Sequence, residues 1–188
     1  MRPGSRARRC PESCDSMVRV VNPSDLRAAL DRTSGTVTEF LEQLVGEGIV
    51  AHAWHHQIIG ARASNDLLVE EGQPLLHRAA TLWGCISGCS YVYAESVIVT
   101  SRLPAGFSHR LESTSDPIGR ILGEVGIAVS REDLVHPDGP MISRPWNVNA
   151  TVGDYLLARS YRIDCEQTPV MIIAEWFLST LTPFLPLA

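Results

Sequence analysis

The sequence predicts an α+β fold, in which long antiparallel strands and short helices occupy different parts of the chain. Five segments carry the apolar pattern of strands. Two pairs of them are joined by short connections that suit antiparallel hairpins. The helical segments are grouped before and between these pairs, as in α+β domains. A chain of 188 residues is long enough for one such domain with a sizeable core.

The N-terminal segment differs from the rest of the chain. Residues 1–16 are rich in Arg, Ser and Pro and lack the apolar stretch of a secretory signal. We expect a disordered extension there, with a basic interaction arm as the alternative, and a folded domain over residues 17–188. Met17 begins the more ordinary sequence and is a candidate for the true start.

Two short helices are predicted next, and they form a helical hairpin that could serve as a lid. The first begins at residues 22–25, where Pro23 and Asp25 favour a helix start. Thr36 and Glu39 fit a capping box at the start of the second helix, and glycines at 46 and 48 end it.

The remaining elements follow in order along the chain. Strands are predicted over residues 49–59, 75–83, 91–99, 155–163 and 170–178. Between the hairpins, helices are predicted at 104–111 and 117–123, the second with Asp116 as its N-cap. Segment 127–150 is predicted only as a loop with room for one strand.

The composition argues against several classes of protein. The net charge of −5 argues against nucleic-acid binding, and no apolar run reaches the length of a membrane span. The five cysteines lack zinc-site spacing, so we expect reduced thiols in a cytoplasmic protein. An anionic ligand would need a locally positive site.

Arg78 and Glu175 are single charges in strands whose other residues are typical of a core. Arg78 alternates with Leu76 and Ala80, so its side chain is expected on an apolar face of the sheet. Glu175 alternates with Ile173 in the same way. Because an unpaired buried charge is costly, the two suggest a closed pocket that binds an anion and moves a proton. The alternatives are a buried ion pair between them or a misjudged strand face.

A second candidate anion site lies at residues 116–120. A helix start there would present the N–H groups of Ile118 and Gly119 to a carboxylate. Gly119 would also let a ligand approach the backbone closely. Simple helix capping is the alternative.

Four motifs carry the strongest functional signal: Leu75–Arg78, Tyr91–Ile98, Asp116–Arg120 and Ile173–Leu178. They come in the order and spacing of the chorismate lyases, and Thr36–Glu39 is similar to that family's N-terminal flap segment. From about residue 20 onward, the chain resembles this family. The resemblance is greatest to the actinobacterial branch, which supplies 4-hydroxybenzoate to secondary metabolism such as antibiotic biosynthesis.

The resemblance implies a single antiparallel sheet with helices covering an enclosed site. It implies conversion of chorismate, a small-molecule substrate, to 4-hydroxybenzoate and pyruvate with no cofactor and no metal. Arg78 would bind the ring carboxylate, and Glu175 would be the acid/base group at the 4-hydroxyl. Backbone N–H groups of Ile118 and Gly119 would assist Arg78, and Val37 would belong to the flap. We expect a monomer or a homodimer.

Some positions depart from the family pattern. Glu95 stands where the enterobacterial enzymes have an arginine, which removes a positive charge near a dianionic substrate. Arg159 or Arg162 could neutralise Glu95 or bind the pyruvyl carboxylate, and a structural Glu–Arg pair is the alternative. Val37 is smaller than Met, so a roomier pocket is expected.

Three histidines and a tryptophan are further candidates for the site. His52 and His56 would share a face of a regular strand about 13 Å apart, too far for one metal ion. Together with His55, they are expected on the surface or in packing contacts. Trp146 is a candidate for one wall of the pocket.

Two other functions are consistent with the sequence. One is a natural-product tailoring enzyme of the same fold that acts on another cyclic substrate. The other is a non-catalytic small-molecule sensor, since this fold also serves as the effector-binding part of some transcription regulators. The presence of both Arg78 and Glu175 favours catalysis, because a sensor does not need a proton-transfer group.

Overall fold

The computed structural model describes residues 23–33, 35–126, 128–134 and 155–185. Its strands are β1 (Ile49–Gly60), β2 (Pro74–Gly84), β3 (Ser90–Ile98), β4 (Val129–Asp133), β5 (Tyr155–Cys165) and β6 (Thr168–Leu178). Its helices are α1 (Pro23–Arg32), α2 (Val37–Val45), α3 (Ala105–Ser113) and α4 (Ile118–Val125), with short 3₁₀ turns at Thr100–Arg102 and Ser179–Phe184.

The six strands form one antiparallel sheet in the order β1-β2-β3-β6-β5-β4. The predicted hairpins β2–β3 and β5–β6 are both present, which confirms the α+β prediction. Pairing of β3 with β6 joins the two hairpins and sets Ala94 opposite Glu175. The strand that carries Glu175 therefore lies two strands from the one that carries Arg78.

The two predicted N-terminal helices are present as α1 and α2, and the predicted capping box of α2 is confirmed. Thr36 caps α2, since its Oγ1 accepts a hydrogen bond from the Glu39 N–H at 3.1 Å. The Glu39 carboxylate accepts one from the Thr36 N–H at 2.7 Å, which completes the capping box. Gly46 ends the helix in the left-handed conformation, at φ 73°.

The start of α4 differs from the prediction. Pro117, and not Asp116, is the N-cap residue, and no side chain caps the helix. The Asp116 carboxylate instead pairs with Arg110 at 2.9 Å and with Arg120 at 3.7 Å. Because the Asp116 carboxylate pairs with the Arg110 side chain of α3, it does not cap the backbone N–H groups of α4.

Several predictions fall partly or wholly outside the described residues. Of segment 127–150, the structure describes residues 128–134. They contain β4, the single strand that the sequence allowed in this segment. Trp146 and the N-terminal extension lie outside this part of the chain. None of the described helices is long and apolar enough to cross a membrane.

The cysteines correct one expectation. Cys85 and Cys165 are free thiols, as predicted. Cys89 is disulfide-bonded, so the prediction of a reduced thiol is wrong there.

Two hydrophobic clusters pack on the same face of the sheet and leave a gap between them. One joins α1 and α2 to the sheet and includes Leu41 and Phe177. The other joins α3 and α4 to the sheet and includes Phe107 and Met171. We call this side of the sheet the cavity face, because the space between the clusters forms the cavity described below.

A β-bulge in β1 changes where its histidines point. The register moves from Ala53 opposite Ala80 to His55 opposite Ala79, so Trp54 is an extra residue. His52 therefore shares a face with His55 rather than with His56, which corrects the prediction from a regular strand. The His55 ring packs against His77, with centroids 5.0 Å apart.

Candidate active site

A cavity of about 450 Å³ lies between the cavity face and the N-terminal ends of α2 and α4. This volume is typical of a site for a small molecule. The sheet contributes Arg78, Ala80, Ala94, Tyr161, Ile173 and Glu175 to its lining, and the helix ends contribute Thr36–Thr38 and Pro117–Gly119. The structure thus brings together four predicted site regions, which are Arg78, Glu175, the start of α4 at Ile118 and Gly119, and Val37 of the flap.

Arg78 is buried at the cavity wall with only 4% of its surface exposed. Its Nε and Nη2 atoms have no hydrogen-bond partner among the described residues. Burial lowers the pKa of Arg78 to about 10, which leaves the guanidinium charged at neutral pH. Because an unpaired buried charge is unfavourable, this side chain is suited to an anion that enters the cavity.

Glu175 is also buried, but it has partners. Arg159 Nε donates a hydrogen bond to Glu175 Oε2 at 2.9 Å, and the Tyr161 hydroxyl donates one to Oε1 at 3.0 Å. Glu175 therefore pairs with Arg159 and not with Arg78, which is contrary to the ion-pair alternative. Since Arg159 balances the charge of Glu175, no carboxylate of the described residues compensates the positive charge of Arg78.

Arg159 and Tyr161 hold the Glu175 carboxylate from one side. The Arg159 guanidinium lies over the Tyr161 ring, 5.0 Å from its centroid. Burial alone would lower the pKa of Arg159, but the Glu175 carboxylate outweighs it and the net shift is upward. Burial and the same carboxylate raise the pKa of Tyr161, so its hydroxyl remains a donor.

The ends of α2 and α4 close the cavity above the sheet. The first-turn N–H groups of Ile118 and Gly119 have no acceptor within the helix, and both residues line the cavity. A Cβ atom on Gly119 would approach Thr36 Cγ2 to 2.8 Å. Glycine is therefore needed at 119 for the close approach of the two helices. Val37 also lines the cavity and is buried.

Three predicted binding residues, Glu95, Arg159 and Arg162, are not among the residues that line the cavity. Glu95 points to the opposite face of the sheet, where it accepts a hydrogen bond from the Tyr93 hydroxyl and lies 3.4 Å from His77 Nε2. Arg162 also points away from the cavity and pairs with Asp164 at 2.8 Å. The reason is the two-residue period of a strand, since the neighbours of both residues face the cavity. Arg159 pairs with Glu175 rather than with Glu95.

Sequence reasoning missed two residues at the site, Tyr161 and Arg131. Tyr161 shares a strand face with Arg159, two residues away, and this spacing was a usable signal. Arg131 lines the cavity from β4, in a segment to which the sequence assigned no definite element.

The chain is similar in sequence to two mycobacterial proteins. A protein of Mycobacterium leprae (strain TN) named chorismate pyruvate-lyase is 32% identical over 84% of this chain and 75% of its own length. A protein of the same name from Mycobacterium tuberculosis (strain ATCC 25618 / H37Rv) is 26% identical over 89% of this chain and 85% of its own.

Other comparisons are more distant. No protein-family model matches the chain. The solved structure of PhnF from Mycobacterium smegmatis is 13% identical with a TM-score of 0.48, over 84% of this chain and 68% of that one. From its similarity to the Mycobacterium leprae protein, the chain belongs to the chorismate pyruvate-lyase family.

Proposed function

We propose that this protein converts chorismate to 4-hydroxybenzoate and pyruvate. The observation that supports this most is the buried Arg78 guanidinium, which has no ion-pair partner in the described part of the chain and lies in the same cavity as the Glu175 carboxylate. This reaction needs an anion-binding site and a proton-transfer group that contact the same enclosed ligand. The relatives named chorismate pyruvate-lyase support the same choice of substrate.

The bonds that break and form in this reaction lie within the substrate. The ring loses its proton at C4, the C3–O bond breaks, and the electron pair completes an aromatic ring. The enolpyruvate that leaves takes up a proton at its methylene carbon and becomes pyruvate. Atoms and electrons balance without an oxidant or reductant, and aromaticity supplies the driving force. Catalysis therefore depends on positioning the substrate and moving one proton.

Five of the cavity residues have a role in this proposal. Arg78 binds the ring carboxylate by charge-assisted hydrogen bonds, with help from the N–H groups of Ile118 and Gly119. Glu175 accepts a hydrogen bond from the 4-hydroxyl group or takes the C4 proton. Val37 covers the ligand and excludes water from the site. By its resemblance to the actinobacterial branch, the protein would act in the cytoplasm, and its product would enter secondary metabolism.

Incubation of the purified full chain with chorismate tests the proposal. Ultraviolet absorbance follows the ring, and a coupled assay measures pyruvate. Stoichiometric release of 4-hydroxybenzoate and pyruvate is expected. Saturable binding without turnover would indicate a sensor, and no interaction would indicate a different cyclic substrate. Either of these results would overturn the proposal.

A further inference from the structure

Arg131 is a second cation at the cavity, and the roles assigned above do not use it. It lines the cavity from β4 and is exposed. Its guanidinium lies over the Tyr161 ring, 5.6 Å from the centroid. Its Nη1 donates a hydrogen bond to the Gly35 carbonyl oxygen at 3.0 Å. Arg131 therefore touches both the Glu175 side of the cavity and the loop that precedes α2.

The charge of Arg131 has no carboxylate partner among the described residues. The nearest carboxylate along its own strand face, that of Asp133, is paired with Arg27. The carboxylate next to it in the chain, that of Glu132, points to the other face and is paired with Arg162. Within the part of the chain that the structure describes, Arg131 makes one hydrogen bond, to Gly35, and most of the five donors of its guanidinium are available to a ligand.

Three functional groups follow one another across the sheet. Arg78 is on β2, Glu175 on β6 and Arg131 on β4, and this is also their order in the sheet. β2 and β4 are four strand spacings apart, about 19 Å between backbones, and long arginine side chains reach inward from both. Arg131 is separated from Glu175 by the side chain of Tyr161, which contacts both.

Chorismate has three polar groups in a matching order. Its ring carboxylate lies at one end, and its 4-hydroxyl group lies at the opposite end of the ring. The enolpyruvyl group, with the second carboxylate, is attached to the carbon next to the hydroxyl group. If the ring carboxylate binds Arg78 and the hydroxyl group faces Glu175, the second carboxylate points toward the outer strands. Arg131 lies there and has no carboxylate partner among the residues that the structure describes.

We propose that Arg131 binds the enolpyruvyl carboxylate of the substrate. This inference rests on the proposed function. 4-Hydroxybenzoate lacks the second carboxylate, so Arg131 strengthens binding of the substrate but not of this product. Arg131 is thus a residue that determines specificity, whereas Arg78 binds substrate and product alike.

The test compares substrate and product affinity in matched variants. KM for chorismate and the competitive inhibition constant of 4-hydroxybenzoate are measured for the wild type, Arg131→Gln and Arg131→Lys. For Arg131→Gln, KM is expected to rise on the order of tenfold to a hundredfold, the effect of losing a charged hydrogen bond. The inhibition constant is expected to stay unchanged. Arg131→Lys should recover part of the loss in KM.

Arg62→Gln is the control for the change in net charge. Arg62 is exposed in the loop after β1 and does not line the cavity, so both constants should stay at the wild-type values. An unchanged KM in Arg131→Gln would overturn the inference. Equal increases in KM and in the inhibition constant would also overturn it, since Arg131 would then only hold the loop. A wild type that does not turn over chorismate would instead refute the proposed function, and this inference with it.

Discussion

The Arg78 guanidinium lowers the stability of the ligand-free protein, because its Nε and Nη2 atoms are buried with no hydrogen-bond partner among the described residues. Binding of a carboxylate removes this loss of stability and adds charge-assisted hydrogen bonds. The same residue therefore lowers stability and raises ligand affinity, a trade-off that is common at functional sites. Replacement of Arg78 should therefore change stability and ligand affinity in opposite directions.

Arg78→Met should stabilise the ligand-free protein and abolish binding of 4-hydroxybenzoate. An apolar side chain of similar length removes the unpaired charge, so the free energy of unfolding should rise by about 1–3 kcal/mol. The thermal midpoint should then rise by about 2–4 °C per kcal/mol. Scanning calorimetry and ligand titration measure the two effects.

Arg102→Met is the matched control for this substitution. The Arg102 guanidinium donates hydrogen bonds of 2.6–3.0 Å to the carbonyl oxygens of Leu67, Leu68 and Pro169. Its replacement should therefore destabilise the protein. Equal destabilisation by both substitutions would show that Arg78 has protein partners and is not a vacant anion site.

Glu175→Gln should lower kcat by about 10²–10⁴-fold, because an amide cannot carry the proton. Binding of 4-hydroxybenzoate should change little, since the amide oxygen still accepts a hydrogen bond. Glu42→Gln is a control, because Glu42 also pairs with an arginine, Arg120 at 2.7 Å, outside the cavity. Steady-state kinetics check both variants. Unchanged turnover in Glu175→Gln would remove Glu175 from the mechanism.

Some of the site could be predicted at the residue scale, and some could not. Charges in apolar strands identified Arg78 and Glu175, because a strand gives every second side chain the same environment. The partner of Glu175 depends on the register of β5 against β6, which sets Arg159 opposite Glu175. A bulge next to Ile163 shifts that register by one residue, and nothing in the local sequence marks it.

At the scale of elements, the contact between α2 and α4 determines how the cavity is closed. Gly119 faces Thr36, the N-cap of α2, with no room for a side chain. The capping box that was recognised in the sequence therefore also fixes the position of the flap. The contact itself could not be predicted, since Thr36 and Gly119 are distant in the chain.

Gly119→Ala should weaken binding of 4-hydroxybenzoate, because its methyl group would push the two helices apart. Thr36→Ser removes the methyl group that is 2.8 Å from the added Cβ and keeps the capping hydroxyl. The double variant should therefore recover part of the affinity. Gly106→Ala in α3 is the control, since a Cβ there meets nothing within 4 Å. Full affinity in Gly119→Ala, measured by titration, would contradict this account.

Glu47 joins the end of the helical hairpin to the turn between β2 and β3. Its carboxylate accepts hydrogen bonds from the N–H groups of Ile86 and Ser87 at 2.7 and 2.9 Å, and from the Tyr91 hydroxyl at 2.8 Å. Burial alone would raise the pKa of Glu47, but the hydrogen bonds from Ser87, Ile86 and Tyr91 outweigh it, and the net shift is downward. The stability that Glu47 contributes is therefore present above its unfolded pKa and is lost as the pH falls through the folded value.

Glu47→Gln should lower the free energy of unfolding by about 1 kcal/mol at pH 7, since it weakens charged hydrogen bonds. The difference from the wild type should shrink as the pH falls below 4.5, the ordinary pKa of the group. Denaturant unfolding at pH 7 and at pH 3 measures it. A difference of the same size at both pH values would contradict the assigned role of the ionised carboxylate.

At the scale of the whole molecule, the pairing of β3 with β6 creates the site. The sequence predicted each hairpin, because hairpins depend on local turns. It did not predict how the hairpins join, since that pairing links residues about 80 positions apart and is decided by packing of the whole cavity face. The resemblance to a family supplied the single sheet that local patterns could not.

Glu95 shows the limit of that resemblance at this scale. It was placed near the ligand because a related position carries an arginine in other enzymes. In this sheet it lies opposite Ala174 and Ala79, on the face away from the cavity. Strand alternation alone, applied with Ala94 on the cavity face, would have given the correct side.

A crystal structure of the protein with 4-hydroxybenzoate tests the central claim most directly. We predict that the ligand carboxylate lies within hydrogen-bond distance of Arg78 Nε and Nη2, with the hydroxyl group beside Glu175. The ligand carboxylate would then be the partner of the Arg78 guanidinium. The ligand hydroxyl group would be the partner of the Glu175 carboxylate, which Arg159 and Tyr161 hold in place. A ligand bound outside this cavity, or inside it without contact to Arg78, would contradict the account.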